Sequence, residues 1–405
     1  VIDRRAARLA LGFACAGHAA MHVLTALYLT VVLSLEAAWG LGYDRLIGLW
    51  TLGALMVGLG APIAGWAGDR WGEARLMVLF FLATGAGTVA AGLTTGPLSM
   101  TIALAALGLG GSIFHPVGLS WVVGVAENRG RALGIVGLFG AVGVGFAALI
   151  AGALTTVAGW RAAFLVPGVL SILAGLVLAA AIAAGRVPLA GRKGESGPPA
   201  GRGDLIRAFV ILTVTMAAMA LVFSALQTAM PRWFELRMDG LIGEGGLGLG
   251  TLGVGALVSA VYVMVAFSQF AGGWAVDRWP VRSVYLVGLT ILLPLIAVCA
   301  VLAEAPLFLA VTLALFVHGA LVPAETLLLA RYSPAGRRGL AFGARFVLAF
   351  GIAPVAVQIV ARSYAATGGF AVLLLILATG IAVALMAAAF LPGGRAAEPQ
   401  AVPAE

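Results

Sequence analysis

Twelve mostly apolar stretches, each long enough to cross a bilayer, alternate with polar breaks along this chain. A membrane-spanning helix needs about 20 such residues. That measure picks out 9–34, 46–68, 75–95, 98–123, 132–157 and 162–185, then 206–230, 249–275, 282–303, 306–330, 340–364 and 369–391. One break is longer and rich in Gly, Pro and charge, with Gly194-Glu195-Ser196-Gly197-Pro198-Pro199 at its centre. Such composition predicts a flexible tether. The chain therefore divides into a six-span bundle over 1–185, a linker over 186–205, a second six-span bundle over 206–392 and a tail, 393–405, expected to be disordered. The class expected is an all-α membrane protein.

The two bundles are related. Gly65-Trp66-Ala67-Gly68-Asp69-Arg70-Trp71, at the end of the second span, returns after the eighth as Gly273-Trp274-Ala275-Val276-Asp277-Arg278-Trp279. A second echo sets Arg129-Gly130-Arg131-Ala132-Leu133-Gly134 against Arg338-Gly339-Leu340-Ala341-Phe342-Gly343. Tandem membrane repeats point to a secondary transporter, whose solute path runs between the repeats.

Composition supports the membrane reading. Apolar residues make up 62% of the chain and charged ones 10%, against roughly 25% charged in soluble domains. The net charge of +8 does not indicate nucleic acid, because the basic residues sit in short loops beside apolar runs. Nineteen of the 24 lysines and arginines fall on the side of the chain termini and five on the other, so both termini are expected in the cytoplasm. Arg4, Arg5 and Arg8 imitate a signal peptide, but the following run is too long for one and many spans follow. Arginine, alanine and glycine bias suggests a bacterial source and hence the cytoplasmic (inner) membrane. Cys15 and Cys299 both lie in apolar runs and form no metal or disulfide pattern.

All four histidines lie in apolar spans: His18 and His22 in the first, His115 in the fourth, His318 in the tenth. An ionisable group in a bilayer costs on the order of 2.5 kcal/mol or more, so by default it faces a cavity or a partner. His18 and His22, four apart, share one helix face, and Thr25 and Tyr28 extend that stripe. Three readings of the pair stay open. It can bind solute or protons, since imidazole titrates near pH 6.5; it can hydrogen-bond another helix; or it can hold a metal. No acid lies on the same helix, so neither metal nor cofactor is expected. Pro116 frees the Ser112 carbonyl and predicts a kink beside His115, and Pro323 repeats the device in the tenth span. Glu325, the acid deepest in a span, is either a proton carrier or the partner of Arg345. Gln227, Gln269 and Gln358 add hydrogen-bonding capacity.

The spacing G-x-x-x-D-R-x-G at Gly65, Asp69, Arg70 and Gly72, its partial copy at Gly273, Asp277 and Arg278, and Gly159-Trp160-Arg161-Ala162-Ala163-Phe164 before the sixth span resemble the major facilitator superfamily. The resemblance implies two pseudo-symmetric six-helix bundles with the first, fourth, seventh and tenth spans lining a central cavity. His18, His22, His115, His318, Gln227, Tyr28 and Glu325 are then the candidate solute or proton ligands, with His318 facing His115 across the pseudo-twofold axis. It also implies a conformational latch. Asp69 would meet the start of the eleventh span near Gly339, and Asp277 the start of the fifth near Arg129 and Arg131. Gly17-His18 and Gly110-Gly111-Ser112-Ile113-Phe114-His115-Pro116 are similar to fosmidomycin-resistance-type exporters. Two departures count against a drug/proton antiporter, so export is favoured only slightly over uptake. The fourth span lacks a buried arginine, and the fifth (Gly134, Gly137, Gly140, Gly143, Gly145) lacks a Gly-Pro pair. The function implied is proton-coupled transport of a small organic solute by alternating access, as a monomer and not an enzyme. An importer of an organic anion or metabolite, uncoupled or in proton symport, and a non-transporting membrane sensor are the alternatives.

Overall fold

In a bilayer core no water satisfies backbone N–H and C=O groups, so apolar runs of this length must bond internally as helices. A computed structural model describes residues 3–126, 129–189, 203–243, 248–332 and 338–391, and in these it holds helices and no strand. Side chains at 129–131, 203–206, 330–331, 338–347 and 350 lie outside the described set.

The first six spans are Arg4–Trp39, Trp50–Trp71 (led in by Tyr43–Gly48), Glu73–Gly92, an interrupted helix from Pro97 to Val125, Arg129–Ala158 and Trp160–Ala183. The second six are Gly203–Arg237, Gly250–Arg278, Val281–Val298, Glu304–Tyr332, Arg338–Thr367 and Ala371–Ala389. Eleven are long and apolar enough, over their described residues, to cross a membrane; Arg338–Thr367 completes the twelve expected. Most overrun the predicted limits by a few residues, because polar end residues carry the last turns. Asp3, for instance, caps the first helix by accepting from the Ala6 N–H at 3.3 Å.

The linker begins less freely than its composition suggests. Val187 is buried, Trp121 Nε1 donates to the Pro188 carbonyl at 3.2 Å, and the Ala74 N–H donates to the Leu189 carbonyl at 3.1 Å. These three residues dock on the N-terminal bundle. Residues 190–202 and the predicted disordered tail lie outside the described residues.

Between the bundles, the second span packs on the eleventh and the fifth on the eighth. The repeat relates these two pairings, which is the pseudo-symmetry the duplicated motifs predict. Two apolar cores result. One contains residues from the N-terminal bundle's near end, where its N-terminus lies: Ala10, Ala14, Ala67, Phe80, Trp121 and their neighbours. The other joins the far end of that bundle (Leu27, Tyr28, Trp50, Met100, Ala151) to the whole C-terminal bundle. Among the described residues the bundles share a core toward the far end.

Candidate functional site

His18 and His22, one helical turn apart, place their Nε2 atoms 3.2 Å from each other. His18 Nδ1 stands 2.8 Å from the Val136 carbonyl of the fifth span. A carbonyl only accepts, so Nδ1 carries the proton and donates, and the Nε2 lone pair of His18 faces His22. The ring is fixed further by Phe114, stacked on it at 4.8 Å and 17°. It fits between the first and fifth spans because position 140 is glycine. A Cβ there would collide with Cε1 of the His18 ring.

His115 joins from the fourth span. Pro116 lacks the N–H that would bond Ser112, and at this place the helix widens into a π turn over Phe114–Gly118 before resuming as Leu119–Val125. The turn presents His115 edge-on to both other rings, at 5.3 Å from His18 and 5.7 Å from His22. One ligand atom from each of the three lies within 4.8 Å of the others. The expectation of no metal considered a single helix, whereas the fold adds a third imidazole from another.

The other predicted ligands lie apart. His318 is buried, donates from Nε2 to the Met219 carbonyl at 3.0 Å and stacks on Phe223 at 5.8 Å. No ring contact joins it to the other three histidines among the described residues. No π turn accompanies Pro323: Glu304–Tyr332 runs through it as one α-helix. Tyr28 is withdrawn from the stripe, fully buried with its hydroxyl donating to the Leu46 carbonyl. Gln227 is half-buried and without a hydrogen-bond partner among the described residues. Gln269 is exposed, and Gln358 donates to Thr51 at 2.7 Å, tying the eleventh span to the second. Glu325 is buried and accepts from the Tyr285 hydroxyl at 3.2 Å; its expected partner, Arg345, lies outside the described side chains.

The near-end motif keeps its geometry in both copies. Trp66 and Trp71 meet edge-on at 5.8 Å, and Trp274 and Trp279 do the same at 5.1 Å. Asp69, Arg70 and Asp277 are exposed and have no partner among the described residues. Arg278 lies over Trp274 at 4.3 Å. The latch partners, Gly339 and the side chains of Arg129 and Arg131, are outside the described set. Gly65 leaves room for a side chain, since a Cβ there would make an ordinary 3.5 Å contact with Pro116, whereas one at Gly53 would stand 2.7 Å from the Leu104 carbonyl oxygen.

The far end holds what the sequence reading missed. Arg232 of the seventh span pairs with Glu36 of the first at 2.7 Å and with Glu235 one turn on. It donates from Nη2 to the Tyr364 hydroxyl of the eleventh span at 2.8 Å. Tyr43, before the second span, donates to the Thr228 carbonyl at 3.2 Å and packs edge-on against Tyr364 at 4.9 Å. This clamp crosses between bundles. Its one advance signal was an Arg-x-x-Glu pair (Arg232, Glu235) closing an otherwise apolar span.

A sequence model described as Major Facilitator Superfamily matches residues 9–261. Over 129 residues, 31% of this chain, the sequence is 31% identical to the Multidrug resistance protein B homolog of Mycobacterium tuberculosis, in strains CDC 1551 / Oshkosh and ATCC 25618 / H37Rv alike. That stretch spans about a quarter of the relative's length, 24%. Among solved structures, a bacterial homolog of the human lysosomal transporter Spinster, inward-facing and unoccupied, superposes with a TM-score of 0.69 at 19% identity, covering 96% of this chain and 95% of that one. Peptide transporter POT in complex with sulfate gives 0.74 at 15% identity, covering 95% and 93%. At such identities the likeness is one of fold.

Proposed function

The chain belongs to the Major Facilitator Superfamily of membrane transporters, and we propose from that premise that it exports a small organic solute by alternating access, driven by a proton gradient. The carrying observation is the inequality of its two ends. At the far end the bundles are joined by the Arg232–Glu36 pair, Tyr43 and Tyr364, and by a shared apolar core. At the near end Asp69 and Asp277 stand exposed and unengaged among the described residues. A carrier closed at its far end has this form; the near-end latch partners lie outside the described residues.

Positive charge at the near end supports placing both termini in the cytoplasm of a bacterial inner membrane, with the far end outside. The structure then represents the outward-closed state. His18, His22 and His115 with Gln227 form the solute site, and Glu325, the buried acid of the tenth span, carries the proton. Tandem six-span repeats, the architecture of gradient-driven secondary transporters, support an ion gradient as the source of energy. Similarity to a protein named for multidrug resistance supports the outward direction.

Everted vesicles carrying an imposed pH gradient test this reading. Among a panel of amphipathic antibiotics, at least one compound should dissipate the gradient in vesicles containing the protein and not in vesicles containing Glu325→Gln. A panel that leaves the gradient untouched would remove proton coupling. The clamp has its own test, a cysteine at Gln227 in a chain with Cys15 and Cys299 replaced. Its labelling by an impermeant maleimide from outside should rise several-fold when Arg232→Gln is added, and unchanged labelling would reject the clamp.

A further inference from the structure

We propose that His18, His22 and His115 form a binding site for a borderline-soft divalent cation of the zinc class. Zinc bound by imidazole has Zn–N distances of about 2.0–2.1 Å, so two nitrogens on a tetrahedral ion stand roughly 3.3 Å apart. The Nε2 atoms of His18 and His22 are already 3.2 Å apart. The donor set of all three rings fits within 4.8 Å, which a small rotation of His115 about its side chain would close onto an ion.

The support around these rings is what a metal site requires. A ligating histidine commonly donates its other N–H to a carbonyl, which fixes the tautomer and aims the lone pair. His18 does this through Nδ1 to Val136 at 2.8 Å. Phe114 holds the same ring by stacking, and the π turn sets His115 against the pair. Two spans thus supply ligands and a third orients one of them.

The chemistry of the donors selects the ion. Three neutral imidazoles suit zinc, copper, nickel or cobalt, while magnesium and calcium require oxygen ligands. No carboxylate belongs to the cluster among the described residues. A bound dication would therefore keep two unbalanced charges and one open tetrahedral position. An anionic oxygen filling that position answers both needs, so the site suits a metal together with an anionic or chelating solute. This last step rests on the cluster lying on the solute path; the binding of the ion itself does not.

The untagged, full-length protein, stripped with chelator in detergent, should bind one equivalent of Zn2+ in competition with a chromophoric chelator. His22→Gln and His115→Gln should each weaken that affinity at least about tenfold, while His318→Gln, the same change outside the cluster, should leave the affinity within about twofold of the unaltered protein. Melting curves for all three confirm folding. Co2+ in place of Zn2+ should give the intense visible bands of a tetrahedral ion, lost in both cluster variants. Zinc binding that is absent, or equal in all three variants, overturns the site. A negative result with zinc leaves the antibiotic panel intact, and a failed panel leaves zinc binding intact, so the two readings fail separately.

Discussion

In the first six spans three imidazoles converge on one another, whereas in the second six the lone histidine is stacked on Phe223 and bonded to a backbone carbonyl. Both halves bind a histidine to a neighbouring span's carbonyl: His18 to Val136, His318 to Met219. What differs is the surplus nitrogen. In the N-terminal half the proton that His18 donates leaves its second nitrogen aimed at the His22 ring, and the π turn at Phe114–Gly118 brings a third ring into reach. The C-terminal tenth span passes its proline without such a turn and directs its ring into packing. Duplication supplied one scaffold twice, and the clustered imidazoles became concentrated in one copy.

The largest test of that asymmetry lies in two glycines of matching stretches. A Cβ at Gly140 collides with the His18 ring, while one at Gly351 of the eleventh span meets nothing within 4 Å. His18 cannot yield freely, being held by Val136 and Phe114. Gly140→Ala should therefore cost about 1–3 kcal/mol of overpacking strain and reduce compound-driven dissipation of the pH gradient at least tenfold. Gly351→Ala should leave the melting temperature nearly unchanged and the flux within about twofold. Equal tolerance at both positions would mean that the imidazole site is not rigidly set.

The span count, the duplication and the membrane class were legible because each is a long, redundant signal. Twelve apolar runs and two repeated motifs survive errors at any single residue. The histidine cluster was half legible. The i,i+4 spacing places His18 and His22 on one face, but bringing His115 to them depends on a π turn, and a proline announces a disturbance without stating its direction. Tyr28 misled for a related reason: it follows the stripe in sequence yet lies where the Tyr43–Gly48 helix covers it and offers the Leu46 carbonyl. The far-end clamp was hidden more thoroughly. Glu36, Arg232 and Tyr364 are separated by more than a hundred residues and meet only through the packing of three spans.

A middle-sized difference should separate the two span prolines. Pro116→Ala restores an N–H for the Ser112 carbonyl and removes the reason for the π turn, so the fourth span should become regular and His115 should swing away from the pair. Zinc affinity should fall by about tenfold, the size of effect seen when a metal ligand loses its supporting geometry, and flux should fall several-fold. Pro323→Ala removes a proline from a helix that already runs through it, so both quantities should hold within about twofold. A Pro116→Ala protein with unaltered zinc affinity would show that the fourth span's own packing, and not the proline, aims His115.

The smallest contrast concerns the near-end turns, where the repeat has drifted. Gly72 closes the first copy at φ 91°, a conformation that side chains resist, and a Cβ there would also stand 3.1 Å from the Leu189 carbonyl oxygen. The second copy has Pro280 instead, at φ −55°, which any residue adopts. Gly72→Ala should cost about 1–3 kcal/mol and shift the melting temperature downward, because the turn and the docked start of the linker strain together. Transport should change only about twofold, since the turn lies at the near end, remote from the imidazoles. Pro280→Ala should leave both measurements nearly unchanged. If Gly72→Ala abolished flux in a protein that still melts cooperatively, the near-end turn would be a working part of the transport cycle, and the concentration of function in the histidine cluster would have to be given up.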